Sequence, residues 1–148
     1  MKNNSMENAK LSIKTILFYI LHFTFYIFLV GCSVKTYSVY AVIKTPRIKV
    51  ADQGFLKKSA GYKELVIYKD ANLPISISVK NSYVCIGSKC MDKEKFVKEF
   101  LPKGYPEDFL DKILDRKCPA GFYCKSDDKK ILFKDKKNGI LIMIKELE

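Results

Sequence analysis

An apolar run of sixteen residues, Thr15 to Val30 (TILFYILHFTFYIFLV), divides this chain into a short leader and a longer remainder, and only the remainder is left to build a domain. Lys2, Lys10 and Lys14 precede the run, and the small Gly31 and then Cys32 close it. Positive, apolar and small in that order is the layout of a secretory signal peptide. A membrane-spanning helix needs roughly 20 apolar residues to cross a hydrocarbon core of about 30 Å. This run is shorter and carries His22 in its middle. An uncleaved signal anchor is the alternative reading.

The four residues Leu29-Val30-Gly31-Cys32 at the end of the apolar run resemble the lipobox of bacterial lipoproteins. The resemblance covers residues 1–33. It implies a signal peptide over 1–31, cleavage between Gly31 and Cys32, a covalent lipid on Cys32, a lipidated tether over 32–36 and a single periplasmic domain over 37–148. Ser33 rather than Asp follows the cysteine, so the sorting rule of that family implies the periplasmic face of the outer membrane, with inner-membrane retention as the alternative. The mature chain is then 117 residues long, enough for one small domain. It holds 24 basic and 15 acidic residues, a formal charge of +9. The sole histidine, His22, leaves with the leader, which removes Ser-His-Asp and Cys-His nucleophilic sites and histidine metal ligands from consideration.

Five cysteines become an even number once Cys32 is assigned to the lipid. Cys85 and Cys90 flank one short loop and Cys118 and Cys124 another, each with a glycine that lets the chain fold back. In an exported domain these read as two local disulfides. A four-cysteine zinc site is the competitor, but the spacings of four and five intervening residues sit at or beyond the wide end of the usual two to four or so. Free buried thiols, or one disulfide joining the two loops, are the remaining alternatives.

Along the mature chain, Tyr37 to Lys44 and Arg47 to Ala51 read as strands broken by Pro46, and Asp52-Gln53-Gly54 reads as a turn. Glu64 to Lys69 and Pro74 to Lys80 are expected to pair antiparallel. The second alternates Ile75, Ile77 and Val79 with Ser76, Ser78 and Lys80, as a sheet with one wet face requires. Tyr83 to Ile86 continues in extended form. The period then changes: Phe96, Val97, Phe100 and Leu101 follow Asp92 at helical spacing, and a second helix is expected from Pro106 to Lys117 with Phe109, Leu110, Ile113 and Leu114 as its apolar stripe. Strands follow over 122–125, 130–135 and 140–146. Asn138-Gly139 marks a type I′ hairpin, and Ile140 to Ile144, apolar on both faces, is expected to be covered on both.

No catalytic constellation is present. Glu107-Asp108 and Asp127-Asp128 are adjacent acids that do not converge on one substrate, and no glycine-rich phosphate loop occurs. The lysine excess reads as a solvated face or as attraction to anionic lipid headgroups; it lacks any framing motif for nucleic acid. No cofactor is expected beyond the lipid on Cys32.

The order of elements, an extended meander, two short helices joined through Lys103-Gly104-Tyr105-Pro106 and a closing hairpin, resembles the outer-membrane lipoprotein receptor LolB and its soluble carrier relatives. The segments carrying the likeness are Met91 to Leu101, Tyr105 to Leu114, Ile131 to Phe133 and Ile140 to Ile144. The resemblance implies an α+β fold: a curved antiparallel sheet, open and half-barrel-like, with two short helices packed on one side after the N-terminal signal helix. It implies a cavity for acyl chains, with Phe96, Phe100, Phe109, Ile113, Ile140, Ile142 and Ile144 as lining candidates. It also implies a protruding membrane-contact loop, here Phe55 and Leu56. The expected role is a membrane-anchored binder of lipid or lipoprotein acyl chains in envelope biogenesis, with lipoproteins, phospholipid or lipopolysaccharide as partners. The alternative is a fully packed structural or assembly partner of an outer-membrane protein complex.

Overall fold

Alternation of large apolar with polar residues drives nine segments of the described chain into strands. The computed structural model describes residues 13–24, 33–68 and 73–148. Residues 13–24 form helix α1, and among the described residues no helix is long and apolar enough to cross a membrane. The expected cleavage and lipid-attachment residues, Gly31 and Cys32, lie outside the described residues. The chain divides into two units, Met1–Ser33 and Val34–Glu148.

The described residues of the second unit form nine strands and two helices in the order β1 (Lys35–Lys44), β2 (Lys49–Ser59), β3 (Tyr62–Tyr68), β4 (Pro74–Lys80), β5 (Tyr83–Ile86), β6 (Lys89–Asp92), α2 (Lys93–Phe100), α3 (Phe109–Leu114), β7 (Tyr123–Ser126), β8 (Lys130–Asp135) and β9 (Ile140–Glu146). It is an α+β fold on one unclosed antiparallel sheet with the strand order β6-β5-β4-β3-β2-β1-β9-β8-β7. In such a meander the loops fall alternately at two ends. The β1–β2, β5–β6 and β8–β9 connections share one end, and the start of β1 shares the other with the β2–β3, β4–β5 and β7–β8 connections.

Register fixes which side chains face the helices. Val39, Ala41 and Ile43 of β1, Leu65 and Ile67 of β3, Ile77 and Val79 of β4, Ile131 and Phe133 of β8 and Ile140, Ile142 and Ile144 of β9 form one buried layer. Phe96, Tyr105, Phe109, Ile113 and Leu114 close it from the helical segment. The opposite faces of Leu141 and Met143 are only half-buried, which corrects the expectation that β9 is covered on both sides. Met143 is instead flanked in register by Val42 of β1 and Leu132 of β8, so an apolar row covers itself across three strands.

Four further departures from the sequence reading have local causes. β1 begins at Lys35, inside the span expected to be tether, because Lys35 and Thr36 already pair with Lys58 and Lys57. β2 runs unbroken through Asp52-Gln53-Gly54, so Phe55 and Leu56 do not sit on a protruding loop. Leu56 is fully buried and Phe55 is 40 % exposed on the opposite face, edge-on to Tyr68. α3 starts only at Phe109 and ends in a Schellman motif, with Arg116 at φ 58° where glycine is usual, Lys117 N–H donating to Lys112 and Arg116 N–H to Ile113. The β8–β9 turn has Gly139 alone at positive φ, so it is a longer turn in which Asp135 accepts hydrogen bonds from the Asn138 backbone and side chain, rather than type I′.

The four cysteines of the second unit pair locally, Cys85 with Cys90 across β5 and β6, and Cys118 with Cys124 of β7. All four sulfurs are thereby consumed, which overturns the zinc alternative. Both bridges secure edge strands, and those edges are only four residues long and carry Lys89 and Lys125, features that blunt strand-to-strand association. Reduction is expected to lower unfolding free energy by about 2 kcal/mol per bridge on the loop-closure model, checked by urea denaturation with and without reductant.

Candidate apolar cavity

Between the sheet and the two helices lies a cavity of about 50 Å³. Its sheet side is Ile43, Leu65, Ile77, Ile86, Ile142 and Ile144, with Thr45 and Ile48 from the β1–β2 loop. Its helical side is Phe96, Phe100, Leu101, Phe109, Leu110, Ile113 and Leu114. Six of the seven lining candidates from the sequence meet here; Ile140 is buried in the same layer but does not reach the cavity. The volume leaves room for only a small occupant, since pockets for drug-sized ligands occupy about 300–1,000 Å³.

The lining candidates left out nine residues: Ile43, Leu65, Ile77, Leu101, Leu110 and Leu114 from the strands and the helical segment, Thr45 and Ile48 from the β1–β2 loop, and Ile86 from the end of β5. Thr45 is the buried polar residue of the layer, and its Oγ1 accepts the backbone N–H groups of Arg47 and Ile48 at 3.2 and 2.9 Å. That local hydroxyl turn turns Ile48 inward. Only Phe96 of α2's eight residues is buried; its ring stacks on Phe100 at 5.1 Å, and the Arg47 guanidinium sits 5.2 Å from the Phe100 centroid.

The helical segment is attached to the sheet by polar residues at positions where alternation would place apolar ones. Lys58 and Lys63 are register partners on the inner face of β2 and β3. Lys63 Nζ lies 2.8 Å from Asp115 and 3.4 Å from Asp111, Lys58 3.8 Å from Asp115, and Lys93 at the start of α2 2.7 Å from Asp111. Burial lowers the Lys58 pKa against the pull of Asp115. Nearby, Arg116 reaches Glu146 of β9 at 2.6 Å and stacks over Tyr37. These contacts gather at the end where β1 begins.

At the other end, among the described residues, the Tyr105 hydroxyl donates a hydrogen bond to Asp135 at 2.7 Å, and Arg47 of the β1–β2 loop lies over the Phe100 ring. Burial and this bond push the Tyr105 pKa up, and the Asn138 amide and then Tyr105 hold the Asp135 carboxyl below its ordinary value. Asp135 therefore contributes stability above the unfolded carboxyl pKa, about 4, and loses it as pH falls through the lower folded value. Tyr105 contributes below its unfolded pKa of about 10 and loses it as pH rises towards the higher folded one. Asp135→Asn is expected to flatten the acid-side decline of the melting temperature, measured by thermal melts across a pH series.

No group of histidine, cysteine or carboxylate side chains with metal-site geometry occurs among the described residues. No family model, curated protein or solved structure matches the chain.

Proposed function

We propose that the protein is a lipid-anchored lipoprotein of the bacterial outer membrane, held through Cys32 at the periplasmic face, that takes acyl chains into the space beneath α2 and α3. In this reading residues 1–31 are the signal peptide, with α1 in it, and the unclosed sheet acts as a LolB-like half-barrel with the two helices as its cover. The observation that carries the reading is a cavity whose lining is apolar except for Thr45. Because that cavity is only about 50 Å³, a chain enters by displacing the cover. The asymmetry of attachment supports such a movement: ion pairs hold both helices where β1 begins, while towards its other end α2 rests on the sheet through buried Phe96 and the partly buried Val97 and Phe100. Each methylene removed from water contributes about 0.8 kcal/mol to offset the cost of displacement.

The test is equilibrium binding of a fluorescent fatty acid or lipopeptide to protein purified without its own lipid. Saturable binding is the expected result. The small closed volume favours a second reading, a packed assembly partner of an outer-membrane complex; absence of binding together with stoichiometric recovery of a membrane protein in affinity capture would establish that one instead.

A further inference from the structure

The cavity's rim has a chemistry that its interior lacks. Thr45, Ile48, Ile86 and Leu101 all border the cavity from turns or element ends. A cation stands near each of these stretches: Arg47 follows Pro46 between Thr45 and Ile48, Lys89 is the register partner of Ile86, and Lys103 follows Leu101 by two positions. Lys89 shares the inner face with Ile86, and all three cations are exposed. Arg47 is the best defined. Its guanidinium lies 5.2 Å from the centroid of Phe100, a ring that itself lines the cavity, and its backbone is held by the Thr45 hydroxyl. No described carboxylate lies within ion-pair distance of it; Glu99, next to Phe100, is 3.9 Å from Lys95.

We propose that this rim is a headgroup site, and that the ligand is an amphiphile whose acyl chain enters the cavity while its anionic group, a carboxylate or a phosphate, is held by Arg47 with Lys89 and Lys103 alongside. The inference rests on the acyl-binding reading above and narrows its ligand from any acyl chain to a charged lipid. A guanidinium presents two parallel N–H donors that match either oxyanion, and stacking on Phe100 orients that fork beside the apolar entrance. An acyl chain on a lipoprotein N-terminus lacks this charge, so the rim discriminates between lipid and lipoprotein cargo.

The test uses the full chain in nanodiscs of zwitterionic phosphatidylcholine, with empty nanodiscs as the partition blank. The probes are a pyrene-labelled fatty acid, the fatty alcohol of the same chain and label, and a pyrene-labelled lysophosphatidylglycerol. The fatty acid or the lysophosphatidylglycerol is expected to bind about tenfold tighter than the alcohol, equivalent to one charge-assisted contact, and the tighter of the two names the headgroup. Arg47→Gln is expected to bring the favoured anion down to the affinity of the alcohol, while Lys129→Gln, at the opposite end of the sheet, leaves the preference in place. Equal affinity for acid, phosphate and alcohol, or a preference unaltered in Arg47→Gln, overturns the headgroup site and leaves acyl binding standing. Failure of all three probes to bind above the blank overturns both.

Discussion

Gly54→Ala is expected to remove about 3 kcal/mol of stability or more, a large share of what a domain of this size possesses. A Cβ at this position would stand 1.9 Å from the Val66 carbonyl oxygen, 2.9 Å from its carbon and 3.0 Å from the Ile67 Cα. All three are backbone atoms, so no side chain can turn aside. Gly54 pairs with Val39 on one side and Ile67 on the other, at the point where the β2–β3 ladder begins. Relief of the clash requires β2 and β3 to separate there, in the middle of the nine-stranded sheet. Urea denaturation is the check, with Ala51→Ser on the exposed face of the same strand expected to change little.

Phe109→Ala carries a large packing effect, about 4 kcal/mol on the scale of buried phenylalanine truncations. Phe109 is fully buried and packs edge-on against Tyr105 at 4.9 Å and Phe133 at 5.0 Å, so its removal empties the meeting point of α3 and β8. The same truncation widens the cavity that Phe109 lines. The acyl-binding account therefore makes a paired expectation: lower stability in denaturant, and stronger binding of a fluorescent fatty acid by the fraction that remains folded. A packed assembly partner would show the first effect without the second. Ile140→Ala provides the comparison, since Ile140 is equally buried but does not border the cavity.

The elements legible in the sequence were those whose pattern is set by burial. Phe96 and Phe100, and Phe109, Ile113 and Leu114, recur at helical spacing because one side of each helix meets the sheet, and the clean alternation of β4 reflects its single buried face. The two disulfide pairings were legible from loop length. What stayed hidden depended on partners distant in sequence. Asp52-Gln53-Gly54 has turn composition, yet the glycine is there because β3 passes against its backbone. Lys58 and Lys63 look like ordinary surface lysines until register sets them on the inner face opposite Asp111 and Asp115. The end of α3 lacks the glycine that announces a left-handed cap, because Arg116 is fixed by Glu146 and Tyr37 instead. β6, with the sequence Lys-Cys-Met-Asp, has little strand propensity and forms as the return arm of the Cys85–Cys90 hairpin.

The candidate site was legible in its apolar walls and not in its rim. Phenylalanine and isoleucine stripes serve a packed core and a ligand cavity equally well, so periodicity alone does not separate the two. Arg47 becomes informative only when the Thr45 turn sets it against Phe100.

The central claim, that an acyl chain occupies the space between α2, α3 and the sheet, is tested most directly by intermolecular nuclear Overhauser effects between a protonated fatty acid and the deuterated, ring-protonated protein. The account predicts cross-peaks from the chain methylenes to Phe96, Phe100 and Phe109. Cross-peaks confined to exposed rings such as Tyr68, Tyr83 and Tyr123, or none at all at saturating ligand, would contradict it.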